Sequence, residues 1–252
     1  MFDPRTWGLP EDISKHGVGI DRLIVLLHVF MIVLFLGWAA FLVYTLIRFR
    51  QRKGHKAVYK LDHFKAPTYL EVGIAIFEFI LLAIFATPIW FGIKNNLPSK
   101  DKAVQVRVVA QQFAWNIHYP GQDGIFGKTD PKRMDSSNPV GLDVSDPAAK
   151  DDITTINQLH VPVDVPILVT LSSKDVIHSF DLTQMRVKQD VIPGMAIPVW
   201  FEAKKTGDFE IACAQLCGFG HYRMKGFFTV ETKDKFDAWL VEQGPAVGGI
   251  SS

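Results

Sequence analysis

The sequence predicts a mixed membrane and β protein: a two-helix hairpin through a bilayer, then an extramembrane β-sandwich or barrel. Three observations lead there. Two apolar stretches of bilayer-spanning length, residues 24–47 and 70–93, lie near the start of the chain. From residue 101 onward, short alternating runs punctuated by Pro and Gly take over. The two cysteines of the 252-residue chain then fall together, Cys213 and Cys217, beside His221 and Met224.

Residues 1–23 precede the hairpin, assigned to 24–95. A hydrocarbon core of about 30 Å needs roughly 20 helical residues, and both stretches exceed that. His28 interrupts the first, and Glu71 and Glu78 the second. The connection, 48–69, carries Arg48, Arg50, Arg52, Lys53, Lys56, Lys60 and Lys65 against Asp62. Short loops rich in Lys and Arg stay in the cytoplasm, which puts both termini and everything after residue 95 outside. No short apolar run with a small-residue cleavage site opens the chain, so the first helix is expected to stay. Trp7, Trp38 and Trp90 are candidate interfacial anchors.

Within residues 101–243, Val104, Val106 and Val108 alternate with polar neighbours, as a half-buried strand does. Similar runs follow at 155–160, 166–171, 196–203, 208–212 and 226–231, with Pro162, Pro166 and Pro193-Gly194 between them. Residues 119–152 are rich in Gly, Pro, Ser and Asp and read as an irregular surface insertion. Phe236, Trp239 and Leu240 predict a short helix over 233–243, and 244–252 reads as a tail. The net charge of +1 hides an asymmetry, since residues 101–252 carry 19 acidic and 15 basic side chains, net −4. The basic residues cluster at the membrane loop, so nucleic acid is not indicated.

The chemistry concentrates in Cys213-x3-Cys217-x3-His221-x2-Met224, with His178 lying 35 residues before Cys213. Thiolate, thioether and imidazole together select copper. A mononuclear blue-copper site uses one Cys, two His and a weak axial Met. A second thiolate supplies enough sulfur to bridge two coppers, the ligand set of a dinuclear electron-transfer centre. The alternatives are a disulfide and a closed zinc site of His178, Cys213, Cys217 and His221. Zinc leaves Met224 unexplained.

Cys213-Ala-Gln-Leu-Cys217-Gly-Phe-Gly-His221-Tyr-Arg-Met224 resembles the CuA loop of cytochrome c oxidase subunit II. Asp175-Val-Ile-His178-Ser-Phe and Arg186-Val-Lys-Gln-Asp190-Val-Ile-Pro-Gly194 resemble the same family's preceding segments, in the same order. The resemblance implies a Greek-key cupredoxin-like barrel and a proton-translocating oxidoreductase in the bacterial inner (plasma) membrane, with the copper domain on the periplasmic side. Cytochrome c, free or held in a larger assembly, would be the donor. Subunit I would reduce oxygen, with subunit III as a further neighbour. It also implies the ligands: bridging Cys213 and Cys217, terminal His178 and His221, axial Met224, and the backbone carbonyl of Gln215.

Gln215, Phe113 and Glu78 depart from the family pattern, and Glu71 matches it. Gln215 stands where the family has a Glu whose carboxylate also holds magnesium; a neutral amide should bind that ion more weakly. Phe113, in Gln111-Gln-Phe113-Ala-Trp115, stands where the family often has a tryptophan that passes electrons in, and Trp115 is nearby. Glu71 matches a family Glu at the mouth of a proton-uptake path, and Glu78 lies two turns deeper on nearly the same face. An ionisable residue inside a span is a functional candidate by default. Asp143, Asp146, Asp151, Asp152, Asp175 and Asp190 are candidates for steering a basic cytochrome. A copper storage or assembly protein, a quinol-oxidase subunit and nitrous oxide reductase are the competing readings. Quinol-oxidase subunits lack the copper ligands, and nitrous oxide reductase needs a large catalytic domain this chain does not have.

Overall fold

A computed structural model describes residues 8–56 and 65–245. Trp7, Lys60, Asp62 and most of the expected tail lie outside the described residues. The chain divides into a helical unit, centred on residues 19–92, and a β unit of residues 9–18 and 93 onward.

In the helical unit, α1 runs over Gly17–Arg48. A second helical run begins with α2, Ala66–Ile80, where Pro67 occupies the first turn and its missing N–H costs nothing. It continues through a π-helical segment, Leu81–Ala86, into α3, Thr87–Asn95. Pro88 explains the wide turn. Its ring cannot close a regular helical turn, and the Thr87 N–H before it reaches back five residues to the Leu82 carbonyl. Phe30 of α1 meets Phe77 of α2 with ring centroids 4.6 Å apart. Phe35, Leu36, Leu46, Phe79 and Leu82 stay exposed on this unit. A helix that is apolar all round is built for lipid, where its backbone bonds close internally.

The β unit is two five-stranded sheets. One has the order β3-β2-β1-β5-β8 and the other β4-β10-β9-β6-β7, with bounds β1 Val104–Gln111, β2 Ala114–Tyr119, β3 Ile153–Ile156, β4 Gln158–Pro162, β5 Pro166–Ser173, β6 His178–Leu182, β7 Val187–Val191, β8 Ile197–Glu202, β9 Gly207–Cys213 and β10 Lys225–Glu231. β1 pairs parallel with β5 and β10 parallel with β4; the other pairs are antiparallel. The period of two puts Val106, Val108, Trp115, Ile117, Val169 and Leu171 inward from one sheet. Phe180, Leu182, Ile211, Phe228 and Val230 meet them from the other. Each such side chain contributes about 1.5–3 kcal/mol on burial.

The run expected over 155–160 is two strands. Asn157, at φ 59°, breaks it, and β3 and β4 join different sheets. Asn tolerates this left-handed turn, and its Oδ1 accepts from the Trp115 N–H at 2.8 Å. β2, β6 and β7 lie where the sequence pattern marked no strand. The expected terminal helix is α4, Lys233–Gln243. Its Trp239 stacks on His160 at 4.0 Å and meets Tyr119 edge-on at 5.5 Å.

The insertion is ordered by its aspartates. The Asp151 carboxylate accepts from the N–H groups of Gln122 and Asp123, and Asp146 accepts from those of Lys128 and Ala148. Asp143 binds Ser145 and Arg133. Val109, Val140, Leu142 and Ala149 form a small core beneath. Asp152 corrects an expectation: it is no surface acid for steering a partner. It is fully buried, 2.7 Å from buried His118, and also accepts from the Gly127 N–H. Phe126 covers this pair, edge-on to His118 and beneath the Arg107 guanidinium at 4.0 Å.

Candidate metal centre

The site is assembled at one end of the β6–β9 pair. His178 opens β6, Cys213 closes β9, and Phe180 pairs with Cys213 across the ladder. The chain then leaves β9 in a loop that carries Gln215, Cys217, the single 3-10 turn His221–Arg223, and Met224 ahead of β10. The Cys213 N–H donates to the Met224 carbonyl and that of Ala214 to the Ser179 carbonyl. These bonds fix both ends of the loop to strands.

The donor atoms form a chain. His178 Nδ1 lies 3.9 Å from Cys213 Sγ, which lies 3.8 Å from Cys217 Sγ, which lies 3.7 Å from His221 Nδ1. Met224 Sδ is 3.7 Å from Cys217 Sγ, and the Gln215 carbonyl oxygen is 3.2 Å from Cys213 Sγ. Metal–sulfur bonds of about 2.3 Å and metal–nitrogen bonds of about 2.0 Å at near-tetrahedral angles span roughly 3.5–3.8 Å between donors. These separations fit metal ions seated between the donors. The ligand atoms of His178, Cys213 and Cys217 all lie within 4.8 Å of one another, a set that leaves out His221. One closed tetrahedral ion would need all four within that reach. His178 lies against Cys213, and His221 lies against Cys217.

His178, Cys217 and Met224 are buried, while Cys213 and His221 are half-buried. Burial, with the neighbouring Cys213 thiol, pushes the Cys217 thiol up to about 11. A bound cation would reverse that and deprotonate it. His178 Nε2 is held by Asp175 Oδ1 at 2.9 Å. Burial opposes ionisation of Asp175, but hydrogen bonds from His178, the Gln112 N–H and the Val176 N–H outweigh it and keep its pKa low.

Phe113 and Trp115 are near but not equivalent. Phe113 is half-buried on the loop, where a Cβ at Gly220 would run into its ring and one at Gly218 would approach it at 3.3 Å. Trp115 is fully buried, its ring centroid 6.2 Å from that of His178. Glu71 and Glu78 belong to α2 of the helical unit, both exposed there. The Gln215 side chain is exposed, and only its carbonyl turns to the sulfurs. Sequence reasoning missed two features. Gln112 donates through Nε2 to the Cys217 carbonyl at 2.6 Å, across 105 residues that give no local signal. Leu216, Phe219 and Tyr222 stand almost fully exposed around the donor residues, and large apolar side chains in a Gly-rich loop were the available clue.

A membrane hairpin carrying a two-sheet β domain with a Cys/His/Met cluster defines a membrane-anchored protein of the cupredoxin-like class. The family profile described as "Cytochrome C oxidase subunit II, periplasmic domain" matches residues 104–229. The "Alternative cytochrome c oxidase subunit 2" of Bradyrhizobium diazoefficiens is 32% identical over 252 residues, covering 100% of this chain and 88% of that one. The "Cytochrome c oxidase subunit 2" of Synechocystis is 29% identical over 94% of this chain and 76% of its own. The crystal structure of the periplasmic domain of subunit II of cytochrome oxidase from Bradyrhizobium japonicum covers 58% of this chain and 96% of its own, at 29% identity and a TM-score of 0.43. The chain belongs to the cytochrome c oxidase subunit II family, and is a membrane-spanning subunit of an oxidoreductase with a periplasmic cupredoxin-like domain.

Proposed function

We propose that this chain is the electron-input subunit of a terminal oxidase, holding a dinuclear copper centre that takes single electrons from cytochrome c for oxygen reduction in subunit I. The observation that carries the reading is the order of donors, imidazole–thiol–thiol–imidazole, with His221 outside the compact set of three. Two coppers bridged by Cys213 and Cys217 would supply rapid one-electron chemistry with little rearrangement of their surroundings. His178 and His221 would be the terminal ligands, Met224 and the Gln215 carbonyl the weak ones.

The protein's part is to hold this set still. β6 and β9, paired through Phe180 and Cys213, hold His178 and Cys213 at one end of the ladder, and Asp175 fixes the His178 tautomer by accepting from Nε2. Buried Trp115 packs behind His178 and no partner can touch it, so donor contact falls to Phe113 and to the exposed rim of Leu216, Phe219 and Tyr222. Asp190, exposed on β7, and the remaining surface acids suit a basic cytochrome. The exposed Gln215 amide offers a neutral oxygen for magnesium at the contact with subunit I. Glu71 is assigned to proton uptake from the cytoplasmic side, with Glu78 deeper in the same helix. Both termini and the copper domain are placed outside the inner membrane, and subunit III completes the assembly.

The test uses the assembled complex and stopped-flow mixing with reduced cytochrome c. Cys217→Ser should abolish rapid haem reduction in subunit I while the complex stays assembled. Haem reduction at the wild-type rate in that variant would contradict the reading.

A further inference from the structure

The two cysteines are not held alike. Cys213 ends a strand, paired with Phe180 and bonded to Met224. Cys217 sits in the loop, and the hydrogen bond that ties its backbone to the rest of the domain comes from the Gln112 side chain, Nε2 to carbonyl oxygen at 2.6 Å. Gln112 is anchored at its other end, since its N–H donates to Asp175 Oδ2 at 2.7 Å. Asp175 in turn holds His178. One residue of the β1–β2 turn therefore ties the loop cysteine to the carboxylate that orients the upstream histidine. Gly218, at φ +135°, lets the loop lie this close: a Cβ there would come within 2.6 Å of the Gln112 amide nitrogen.

The spacing has a chemical alternative. The sulfurs stand 3.8 Å apart, and a disulfide needs about 2.05 Å. Closing it requires the Cys217 backbone or side chain to swing toward Cys213, which the strand holds. We propose that Gln112 is a positioning residue that braces Cys217 in the open dithiol geometry and opposes its closure to a disulfide with Cys213. The proposal deepens the copper reading, because the open dithiol is the form that can bridge metal. It makes a claim about the metal-free protein that stands apart from copper.

The reaction is thiol–disulfide exchange with oxidised glutathione as the oxidant. One cysteine thiolate attacks glutathione disulfide, forming a mixed disulfide and releasing one glutathione thiol. The second cysteine then displaces the other glutathione. Two protein thiols are oxidised and one glutathione disulfide is reduced to two thiols.

The experiment equilibrates the metal-free, full-length chain in detergent with glutathione buffers of fixed ratio, then traps free thiols by alkylation and counts them by mass. Gln112→Ala removes the brace but keeps the backbone bond to Asp175. A single hydrogen bond of ordinary net strength predicts a shift of about fivefold toward disulfide. Gln112→Glu places an acceptor against the Cys217 carbonyl and should shift the balance at least as far while keeping the side chain's bulk. Gln111→Ala, one residue away, should match the wild type. A Gln112→Ala or Gln112→Glu protein that keeps its wild-type far-ultraviolet spectrum and stays within twofold of the wild-type balance would overturn the proposal. Because no metal is present, that result would leave the copper reading standing, and failure of the wild type to bind copper would leave the brace standing.

Discussion

Replacing Asp175 by Asn would test how far His178, as a proposed copper ligand, depends on what lies behind it. The carboxylate receives three donors: His178 Nε2 at 2.9 Å and the Val176 N–H at 2.7 Å on Oδ1, and the Gln112 N–H at 2.7 Å on Oδ2. An asparagine has one acceptor oxygen and an NH2 group. With its oxygen kept toward His178 and Val176, the NH2 must face the Gln112 N–H, donor against donor. With the amide flipped, the clash moves to His178. Either way the charge-assisted bond, roughly twice as strong as a neutral one, is gone from the imidazole. Loss of such a partner behind a metal-binding histidine costs about 10- to 100-fold in affinity, or about 1.4–2.8 kcal/mol. Competition of the full-length chain in detergent against a copper chelator of known affinity would read this directly. Asp175→Ala should fall at least as far. An Asp175→Asn affinity within twofold of wild type would refute the argument that this carboxylate sets the His178 ring.

Other outcomes follow from different parts of the molecule. Asp152→Ala strands the buried His118 nitrogen and should lower unfolding free energy by about 3 kcal/mol in denaturant titration, with the copper spectrum unchanged. Loss under 0.5 kcal/mol would contradict the assigned role. Burial opposes ionisation of Glu202, yet its bonds to Lys15 and Lys204 outweigh that and hold its pKa below the ordinary carboxylate value. That stability is present above the unfolded pKa, about 4.3, and is lost as pH falls through the lower folded value. Wild type should therefore exceed Glu202→Gln in melting temperature near neutrality, and the two curves should converge in acid. Glu71→Gln should slow turnover of the whole oxidase while rapid copper reduction by cytochrome c persists. Unchanged turnover would leave Glu71 as a helix-end carboxylate. Glu78, about 10 Å deeper at 1.5 Å per residue, gives the paired comparison.

Much of this molecule was legible because the signals are local or periodic. Residues 24–47 and 70–93 are long and apolar enough to span a bilayer, and the alternation of Val104, Val106 and Val108 announced β1. What failed was local information overridden by tertiary context. The run 155–160 has no Gly to mark the corner, yet Asn157 turns it there because its side chain caps Trp115 across the sheet. β7 reads Val-Lys-Gln-Asp-Val and gains its strand character from pairing with β6, not from its own pattern. At the candidate metal centre, the donor side chains that the fold brings together were readable from residue type and spacing. The brace was not, since Gln112 and Cys217 meet only after the barrel closes. Asp152 misled for a related reason: a carboxylate in a polar insertion looks solvated until His118, from a strand, is found beneath it.

The central claim is that two coppers share the cysteine pair. It is tested most directly by metal analysis together with electron paramagnetic resonance of the oxidised full-length chain reconstituted with copper. Two coppers per chain, with hyperfine splitting from two equivalent nuclei around one unpaired electron, are the expected result. One copper per chain, or the four-line pattern of a single nucleus, would contradict it.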